Sequence, residues 1–380
     1  MPADEQGDTE RPGGGPDAAP SPPHARRHRW AGRAVELLRA EAAAVGPTPL
    51  LRYPLPSAWG PRLYLKDESA QPTGSLKHRL VRAMFLHALA DGRITEGTPV
   101  VVATGGAVAV AGAAIAGRLG VPFHAVVPRA AAPALTARIE PLGAQVTVGD
   151  PPAAVHAEAA RLAERLGGHF MDHFADAERA VTGCGEPTIA EETFQQLAGE
   201  DHPLPHWIVT GAGTGATAAA FGRHLRRHGL PTGLAVVDPE NSAYFPGWAA
   251  GVPDYATGVP SRIAGIGRPR MEPGFVPSLV DLMVPVPDAA SIAAMRHLRA
   301  ATGRSLGGSS GTTLWGACHL LARMLAEGTR GSVVIIAGDH AEPYRHTYDD
   351  DAWLRQQGLD PTPHAQVLER FFATGEWSPG

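Results

Sequence analysis

Cysteine and lysine are the two reactive residue types that this 380-residue chain uses least, with two of each. Cys184 and Cys318 are too few for a disulfide framework or a cysteine-rich metal site, and such sparse cysteine is typical of a reducing cytosol. The 17 histidines show no tight metal-binding spacing; His169 and His173 are four residues apart, but no third ligand accompanies them. We therefore expect no metal site.

Long apolar runs are also missing. No stretch reaches the roughly 18 residues that a membrane-spanning helix needs, and the first residues lack the charged-then-apolar order of a secretion signal. The formal net charge is -5 at pH 7, which argues against nucleic acid or an anionic membrane as a partner. These absences predict a cytoplasmic protein without nucleic-acid or membrane partners.

What the sequence does contain is an alternation of short apolar runs with longer helical stretches. Residues 1–29 are rich in proline, glycine and alanine, which predicts a disordered tail. From Trp30 onward the alternation is typical of an α/β fold whose mostly parallel sheets are flanked by helices. We expect two such domains, 30–168 and 169–357, and a C-terminal extension over 358–380.

The runs themselves give the expected elements. The predicted strands are Leu63–Lys66, Val100–Ala103, Phe123–Val127, Gln145–Val148, Trp207–Thr210, Leu234–Val237 and Val333–Ala337. The predicted helices are Ser75–Ala90, Ala109–Leu119, Pro133–Leu142, Ala153–Leu166, Ile189–Leu197, Ala216–Arg227, Ala289–Ala300, Thr313–Ala326 and Gln366–Ala373.

The first candidate motif surrounds Lys77, in the segment LYLKDESAQPTGSLKHR. A predicted strand ends in a charged turn, and Ser75 is a natural N-cap for the helix that follows. A charged lysine in the first turn of a helix is disfavoured by the helix dipole, and a neutral amine is the better nucleophile and base. The alternative interpretation is a solvated surface lysine.

Two glycine-rich turns come later in the chain, and each could by itself be purely structural. The first, GAGTGATAAAFG, follows the apolar strand WIVT and would offer backbone N–H groups and hydroxyls to an anion at a helix start. It lacks the lysine of nucleotide phosphate loops and the acid of the dinucleotide fingerprint, so a phosphate monoester fits better than a nucleotide. The second, GGSSGTTLWG, also opens a helix.

Taken in this order, the three segments resemble the fold-type II pyridoxal-5'-phosphate (PLP) enzymes, the superfamily of cysteine synthase and tryptophan synthase β. The likeness runs from about Thr48 to Gly358. SLKHR resembles the Schiff-base motif of the family, GTGAT its phosphate cradle, and GSSG the turn that meets the pyridine nitrogen. GIGRPR and the late TYDDDAW resemble most the actinobacterial branch of cysteine desulfhydrases and cysteine-synthase-like proteins.

This resemblance implies a role for each motif. Lys77 would form a Schiff base with PLP and would act as the base on the substrate α-proton. Ser309 would hydrogen-bond the ring nitrogen as a neutral partner, which favours expulsion of a leaving group from Cβ. The phosphate would be held by Gly213, Thr214, Gly215, Ala216 and Thr217. Ala216 replaces a usual glycine, and it would be strained if its φ were positive.

One loop departs from the family pattern. Where the family has a Ser/Thr-Ser-Gly-Asn-Thr loop that binds the substrate carboxylate, this chain has Thr104, Gly105, Gly106, Ala107 and Val108. We expect these residues to bind the substrate through the backbone donors of a helix start and through the one remaining hydroxyl. The missing Asn removes a contact to the cofactor ring.

The implied function is PLP-dependent β-elimination or β-replacement on L-cysteine or an O-activated serine, through an aminoacrylate intermediate and in a homodimer. A first alternative is an enzyme of specialised metabolism that acts on an unusual amino acid, which the rewritten loop would suit. A second is a non-catalytic protein that kept the fold. The intact Lys77 argues against this last reading, and the missing Asn argues for it.

Overall fold

The computed structural model describes residues 22–379, apart from the side chain of Pro23. Across this range no helix combines the length and the apolar character that crossing a membrane requires. The strands are β1 (Leu50–Arg52), β2 (Arg62–Asp67), β3 (Val100–Ala103), β4 (Phe123–Pro128), β5 (Gln145–Gly149), β6 (His169–Phe170), β7 (Trp207–Gly211), β8 (Gly233–Pro239), β9 (Leu282–Val286) and β10 (Ser332–Ala337).

The α-helices cover most of the remaining chain. They are α1 (Pro23–Val45), α2 (Lys77–Ala90), α3 (Ala107–Leu119), α4 (Ala132–Ile139), α5 (Val155–Arg165), α6 (Ala177–Gly183), α7 (Ile189–Leu197), α8 (Ala216–His228), α9 (Tyr244–Ala250), α10 (Asp288–Thr302), α11 (Gly308–Ala326), α12 (Asp351–Gln356) and α13 (Thr362–Thr374).

The larger sheet has six strands in the order β1-β2-β10-β7-β8-β9, and only β1 runs antiparallel to its neighbour. Its core strands are buried on both faces. In β10, Val333 and Ile335 pack in a cluster with α10, α11 and α13, while Val334 and Ile336 pack in a second cluster with α7 and α8. Because side chains alternate between faces, burial on both sides requires the unbroken apolar run SVVIIA.

The smaller sheet has four parallel strands in the order β5-β4-β3-β6. Its faces are filled in the same way as those of the larger sheet. In β3, Val100 and Val102 belong to the cluster built with α1 to α4, while Val101 and Ala103 pack against α5. The predicted α/β fold with mostly parallel sheets flanked by helices is therefore confirmed.

Several elements differ from the prediction. Helix α1 begins at Pro23, so the prediction of disorder is wrong for residues 23–29, where a proline at the first helical position has a backbone φ suited to a helix; residues 1–21 lie outside the described part. Helix α11 begins at Gly308 rather than at Thr313, and the GSSG turn is its first turn. Strands β1, β6 and β9 were not predicted, because two are very short and the third contains Pro285.

The sheets also do not follow the predicted division of the chain at residue 168. Strand β2 pairs in parallel with β10, so residues 62–67 belong to the larger sheet with the second half of the chain. Strand β6, which lies beyond the predicted boundary, completes the smaller sheet by pairing with β3. Pairings between residues so distant in sequence leave no local pattern. Ligand sites in parallel sheets form beyond the carboxyl ends of the strands. Here β2 leads into the Lys77 segment, β3 into the 104–108 loop and β7 into the 213–217 turn.

Candidate active site

Lys77 is the first residue of α2, and it is held in place by the segment that follows β10. The N–H of Leu76 donates to the carbonyl of Gly338 at 2.7 Å, and the Ser75 hydroxyl donates to Asp339 Oδ1 at 2.5 Å. The Ser75 hydroxyl oxygen also accepts the N–H of Lys77 at 3.1 Å. The start of α2 is thereby fixed to the carboxyl end of the larger sheet.

The two lysines have opposite environments. Lys66 is fully buried, and its Nζ donates to the Thr48 carbonyl at 2.8 Å, to Glu192 at 2.5 Å and to Gln196 at 2.7 Å. The Nζ of Lys77 forms no ion pair or hydrogen bond with any residue of 22–379, and Lys77 lines the cavities at this edge of the sheet. Lys77 is therefore the lysine whose amine can react.

The cradle of residues 213–217 connects β7 to α8. Gly215 has φ of +84°, and a Cβ on it would lie 2.3 Å from the Gly274 carbonyl oxygen. A Cβ on Gly213 would lie 2.3 Å from the carbonyl oxygen of Gly265, so the close backbone packing requires glycine at both positions. Ala216 is the first residue of α8 and has no positive φ. The strain that we considered for Ala216 is therefore absent.

Ser309 lies in the first turn of α11 and is mostly buried. It lines the same cavity as Lys77 and all five cradle residues. No hydrogen bond within the described part of the chain occupies its hydroxyl, which leaves it available to a ligand. The hydroxyl of its neighbour Ser310 is fully buried and has no partner in that part either, but Ser310 does not line the cavity.

A wider cavity of about 330 Å³ adjoins the cradle. The five predicted substrate-binding residues, Thr104 to Val108, line it together with Lys77, Gly213 and Thr214. The predicted cofactor-binding and substrate-binding segments thus meet at Lys77, as a lysine that serves both ligands requires. Their individual roles stay predictions.

The loop before α3 offers mainly backbone donors. The Thr104 side chain accepts the N–H of Gly106 at 3.3 Å, and its own O–H remains able to donate. Helix α3 begins at Ala107, so the N–H groups of Ala107 and Val108 lie in its first turn and have no intrahelical acceptor. Such a helix start favours a carboxylate through its N–H groups and its dipole.

His173 lines the wider cavity. From the sequence we had expected it to have only a structural role. It is buried, and its burial together with the nearby charges of Arg268 and Lys77 lowers its pKa to about 3. The imidazole is therefore neutral at physiological pH. No sequence signal placed His173 at this cavity, because the spacing of His169 and His173 suggested only a metal pair. Within residues 22–379 no cluster of three or more potential ligands could hold a metal.

Two further groups on the cavity wall are the carboxylate of Asp339 and the phenol of Tyr344. The Tyr344 hydroxyl donates to Asp339 Oδ2 at 2.9 Å, and burial, together with the Asp339 charge, raises the pKa of Tyr344 well above its usual value. Arg268 also lines this cavity, but it pairs with the buried Glu272 at 3.0 Å and stacks on Phe174. These contacts leave its guanidinium less available to a substrate carboxylate.

These groups suit PLP chemically. A helix start with hydroxyls and N–H groups suits a phosphate monoester, a free amine suits an aldehyde, and an unoccupied hydroxyl suits a neutral pyridine nitrogen. All three line one cavity. The residues present therefore fit the cofactor that the sequence resemblance implies.

Comparisons with known proteins agree with this fit. The chain is 49% identical to the L-cysteine desulfhydrase of Mycobacterium tuberculosis over 353 residues, which is 92% of this chain and 96% of that protein. It is 28% identical to the cysteine synthase of Aquifex aeolicus over 80% of this chain and 89% of that protein. The crystal structure of O-ureido-L-serine synthase superposes with a TM-score of 0.70 at 25% identity, covering 84% of this chain and 98% of that one.

The family model itself matches most of the chain. It is described as that of the pyridoxal-phosphate dependent enzymes, and it spans residues 42–339. This range contains Lys77, the cradle and Ser309. The chain is a fold-type II member of the pyridoxal-phosphate dependent enzyme family.

Proposed function

We propose that this enzyme removes the β-substituent of L-cysteine or of an O-activated L-serine, by elimination or by replacement. One observation carries the proposal. Lys77, the 213–217 cradle and the helix start of 104–108 line adjoining cavities, and the Lys77 Nζ has no partner within residues 22–379. The similarity to a protein named as a cysteine desulfhydrase favours L-cysteine as the substrate and sulfide as the leaving group.

In this proposal the chain holds the cofactor at three points. Lys77 would bind its aldehyde, residues 213–217 would hold its phosphate, and the Ser309 hydroxyl would be the partner of its ring nitrogen. When bound, PLP stabilises the negative charge that develops on the substrate Cα. Because Ser309 is a neutral partner, it would leave the ring nitrogen unprotonated, which would favour loss of the Cβ substituent over other reactions.

The residues of the chain then perform the proton transfer and the positioning. The Nζ of Lys77 would take the substrate α-proton and would return it to the departing sulfur. The substrate carboxylate binds the helix start at Ala107 and Val108 and the Thr104 hydroxyl. The neutral imidazole of His173 adds no charge that would compete for this carboxylate.

Covalent trapping tests the attachment. Reduction of the yellow holoenzyme with borohydride should fix the cofactor on Lys77, and peptide mass spectrometry should find the label there. The chain has only one other lysine, Lys66, which serves as an internal control. A label on Lys66, or no label on either lysine, would overturn the assignment.

Product analysis tests the reaction. With L-cysteine alone, elimination should release sulfide and pyruvate in equal amounts, while O-acetyl-L-serine with sulfide should give cysteine if replacement operates. The Lys77→Ala variant is the matched control and should lose both reactions. If borohydride labels Lys77 but the holoenzyme is inert to both substrates, the proposed action on cysteine or O-activated serine is refuted. The cofactor assignment would still stand.

The loop favours one alternative. Residues 104–108 carry a single side-chain hydroxyl, whereas the family loop has several polar side chains. A substrate that depends on those polar contacts would be bound weakly here. An enzyme that acts on an unusual amino acid is therefore the second candidate function. A panel of amino acids that changes the visible spectrum of the holoenzyme, without any change from cysteine or O-acetylserine, would favour it.

We also infer a cytoplasmic homodimer whose subunit has two units, one built on each sheet. Both cysteines are free thiols, which suits a reducing compartment. The homodimer and the two units rest on the resemblance to the family. Light scattering of the purified holoenzyme tests the oligomeric state, and a mass of one chain would refute the dimer.

A further inference from the structure

A second cavity adjoins the substrate cavity at the 104–108 loop. It measures about 150 Å³, and its walls include Gly105, Gly106 and Ala107 together with Asp339 and Tyr344. The same five residues also line the substrate cavity. The two spaces therefore share a wall made of the loop on one side and of the segment after β10 on the other. We call the smaller space the side cavity.

Arg138 is the one arginine among the residues that line the side cavity. It is half-buried in the last turn of α4, and none of the ion pairs or side-chain hydrogen bonds within residues 22–379 involves it. Arg129, just before the same helix, instead binds Asp150 at 3.1 Å. A guanidinium keeps its charge at any physiological pH, so a partly buried one favours an anionic partner.

A simpler role for Arg138 is its position in the last turn of α4, where a positive charge complements the helix dipole. That role would be served equally well by a side chain pointing into solvent. Arg138 instead lines the side cavity, as Tyr344 does. The helix dipole does not account for this placement.

The loop between the two cavities carries almost no side-chain bulk. A Cβ added at Gly106 would meet no atom within 4 Å, so the space beside this residue is open. Ala107 adds only a methyl group. The small residues that replace the family side chains here thus leave room between the substrate cavity and Arg138. A volume of about 150 Å³ accommodates a group of several heavy atoms.

We propose that the side cavity receives an anionic group carried by the β-substituent of the substrate, and that Arg138 is the residue that selects for it. The favoured substrates are cysteine thioethers or serine esters whose Cβ substituent ends in a carboxylate or a similar anion. The inference rests on the proposed β-elimination or replacement and names the substrate class for that same site.

The reaction on such a substrate is balanced with water as the only other reactant. The Cβ–S bond breaks with its electron pair on sulfur, and the α-proton passes by way of Lys77 to the thiolate. One water then completes the products, which are pyruvate, ammonia and a thiol that carries the carboxylate. Asp339, also on the shared wall, would repel the anion, but it accepts hydrogen bonds from Ser75 and Tyr344 that disperse its charge.

The test uses two substrates that differ only in charge. These are S-carboxymethyl-L-cysteine, which ends in a carboxylate, and its amide S-carbamoylmethyl-L-cysteine, which has the same shape. The wild-type holoenzyme should bind and turn over the acid better than the amide. Arg138→Gln should lower the acid-to-amide ratio roughly 10-fold, since one charge-assisted hydrogen bond is lost. Arg138→Lys should retain part of the preference.

Arg129→Gln is the matched control, because it removes an arginine of the same region that is already paired; the ratio should be unchanged. Dissociation constants of both compounds, measured by calorimetry on the holoenzyme, are determined beside kcat/KM. If the acid binds better than the amide and this preference depends on Arg138, but neither compound nor cysteine is turned over, the side cavity is supported as an anion site. The proposed function would then be overturned. A wild-type ratio near one, or equal losses for acid and amide in Arg138→Gln, would overturn the assignment of Arg138.

Discussion

Replacing Glu192 by Gln should destabilise the protein strongly, although Glu192 is not one of the proposed catalytic residues. Glu192 on α7 accepts Lys66 Nζ at 2.5 Å and the Thr48 N–H at 2.8 Å, and it pairs with Arg79 at 3.0 Å. Arg79 follows Lys77 by two residues on α2. The carboxylate therefore joins α7 to the strand and the helix that border the active site.

The magnitude follows from what the variant leaves behind. Arg79 keeps its two hydrogen bonds to Glu68, both at 2.9 Å. Lys66 keeps only neutral acceptors, the Thr48 carbonyl and the Gln196 amide, around a side chain with no exposed surface. Breaking a buried ion pair costs about 3–5 kcal/mol when the remaining charge is uncompensated. We expect the free energy of unfolding to fall by about 3 kcal/mol, because the Gln side chain still accepts one hydrogen bond.

The effect should depend on pH with a defined sign. Burial opposes ionisation of Glu192, but Arg79 and Lys66 outweigh it and hold the carboxyl pKa below its usual value. The contribution of a carboxylate with a lowered pKa is complete above the pKa of the unfolded chain and is lost as the pH falls through the folded pKa. The difference between wild type and Glu192→Gln should therefore be full at pH 7 and should shrink in acid, below about pH 4.5.

Denaturant unfolding of the holoenzyme, followed by far-ultraviolet circular dichroism, measures the difference. Glu164→Gln is the matched control, because Glu164 is exposed and has no ion pair in the described part of the chain; it should change stability by less than about 0.5 kcal/mol. Adding Lys66→Met to Glu192→Gln should recover stability, since the uncompensated charge is removed. A single variant as stable as the control, or a double variant less stable than the single one, would refute the reasoning.

The remaining predictions concern the loop, the cofactor ring and one buried acid. Thr104→Ala should raise the KM for cysteine roughly 10-fold with kcat less affected, through loss of a charge-assisted hydrogen bond. If cysteine is the substrate, Ala107→Asn should increase kcat/KM for cysteine and O-acetylserine; if it is not, this variant should bring no gain. Ser309→Asp should shift the visible spectrum and the product profile, and an unchanged spectrum would show that Ser309 does not contact the ring. Burial raises the pKa of Asp238 to about 6, so wild type should lose stability relative to Asp238→Asn as the pH rises from 4 to 7, which thermal unfolding across this range would measure.

The fold was predictable because its strands carry their own signal. Buried parallel strands such as VVVA and SVVIIA are apolar on both faces and read as unbroken runs. Helix α7 was predicted from Ile189 to Leu197, and it has these bounds because Thr188 and Glu191 form a capping box. What the sequence hid is the pairing of β2 with β10, since such a pairing depends on packing between distant segments. That pairing also fixes the turn before Lys77.

The candidate site was predictable where its residues belong to local backbone motifs. Lys77, the cradle and Ser309 belong to motifs in which glycine and hydroxyl residues have fixed places at helix starts, and the structure brings all of them to one cavity. Asp339, Tyr344 and His173 belong to no such motif. Their places on the cavity wall follow from loops that no local pattern describes.

The loop at 104–108 separates the three functional readings better than any other segment. Backbone N–H groups at a helix start bind an anion whatever side chains surround them, so the loss of the family side chains does not by itself remove carboxylate binding. A chain that had lost catalysis would have no need to keep Lys77 uncommitted in the cavity while its only other lysine is fully bonded. The altered loop therefore argues for a changed substrate more strongly than for a lost activity. The open space beside Gly106, and an arginine of the same cavity that has no ion pair among residues 22–379, favour a substrate with an anionic β-substituent.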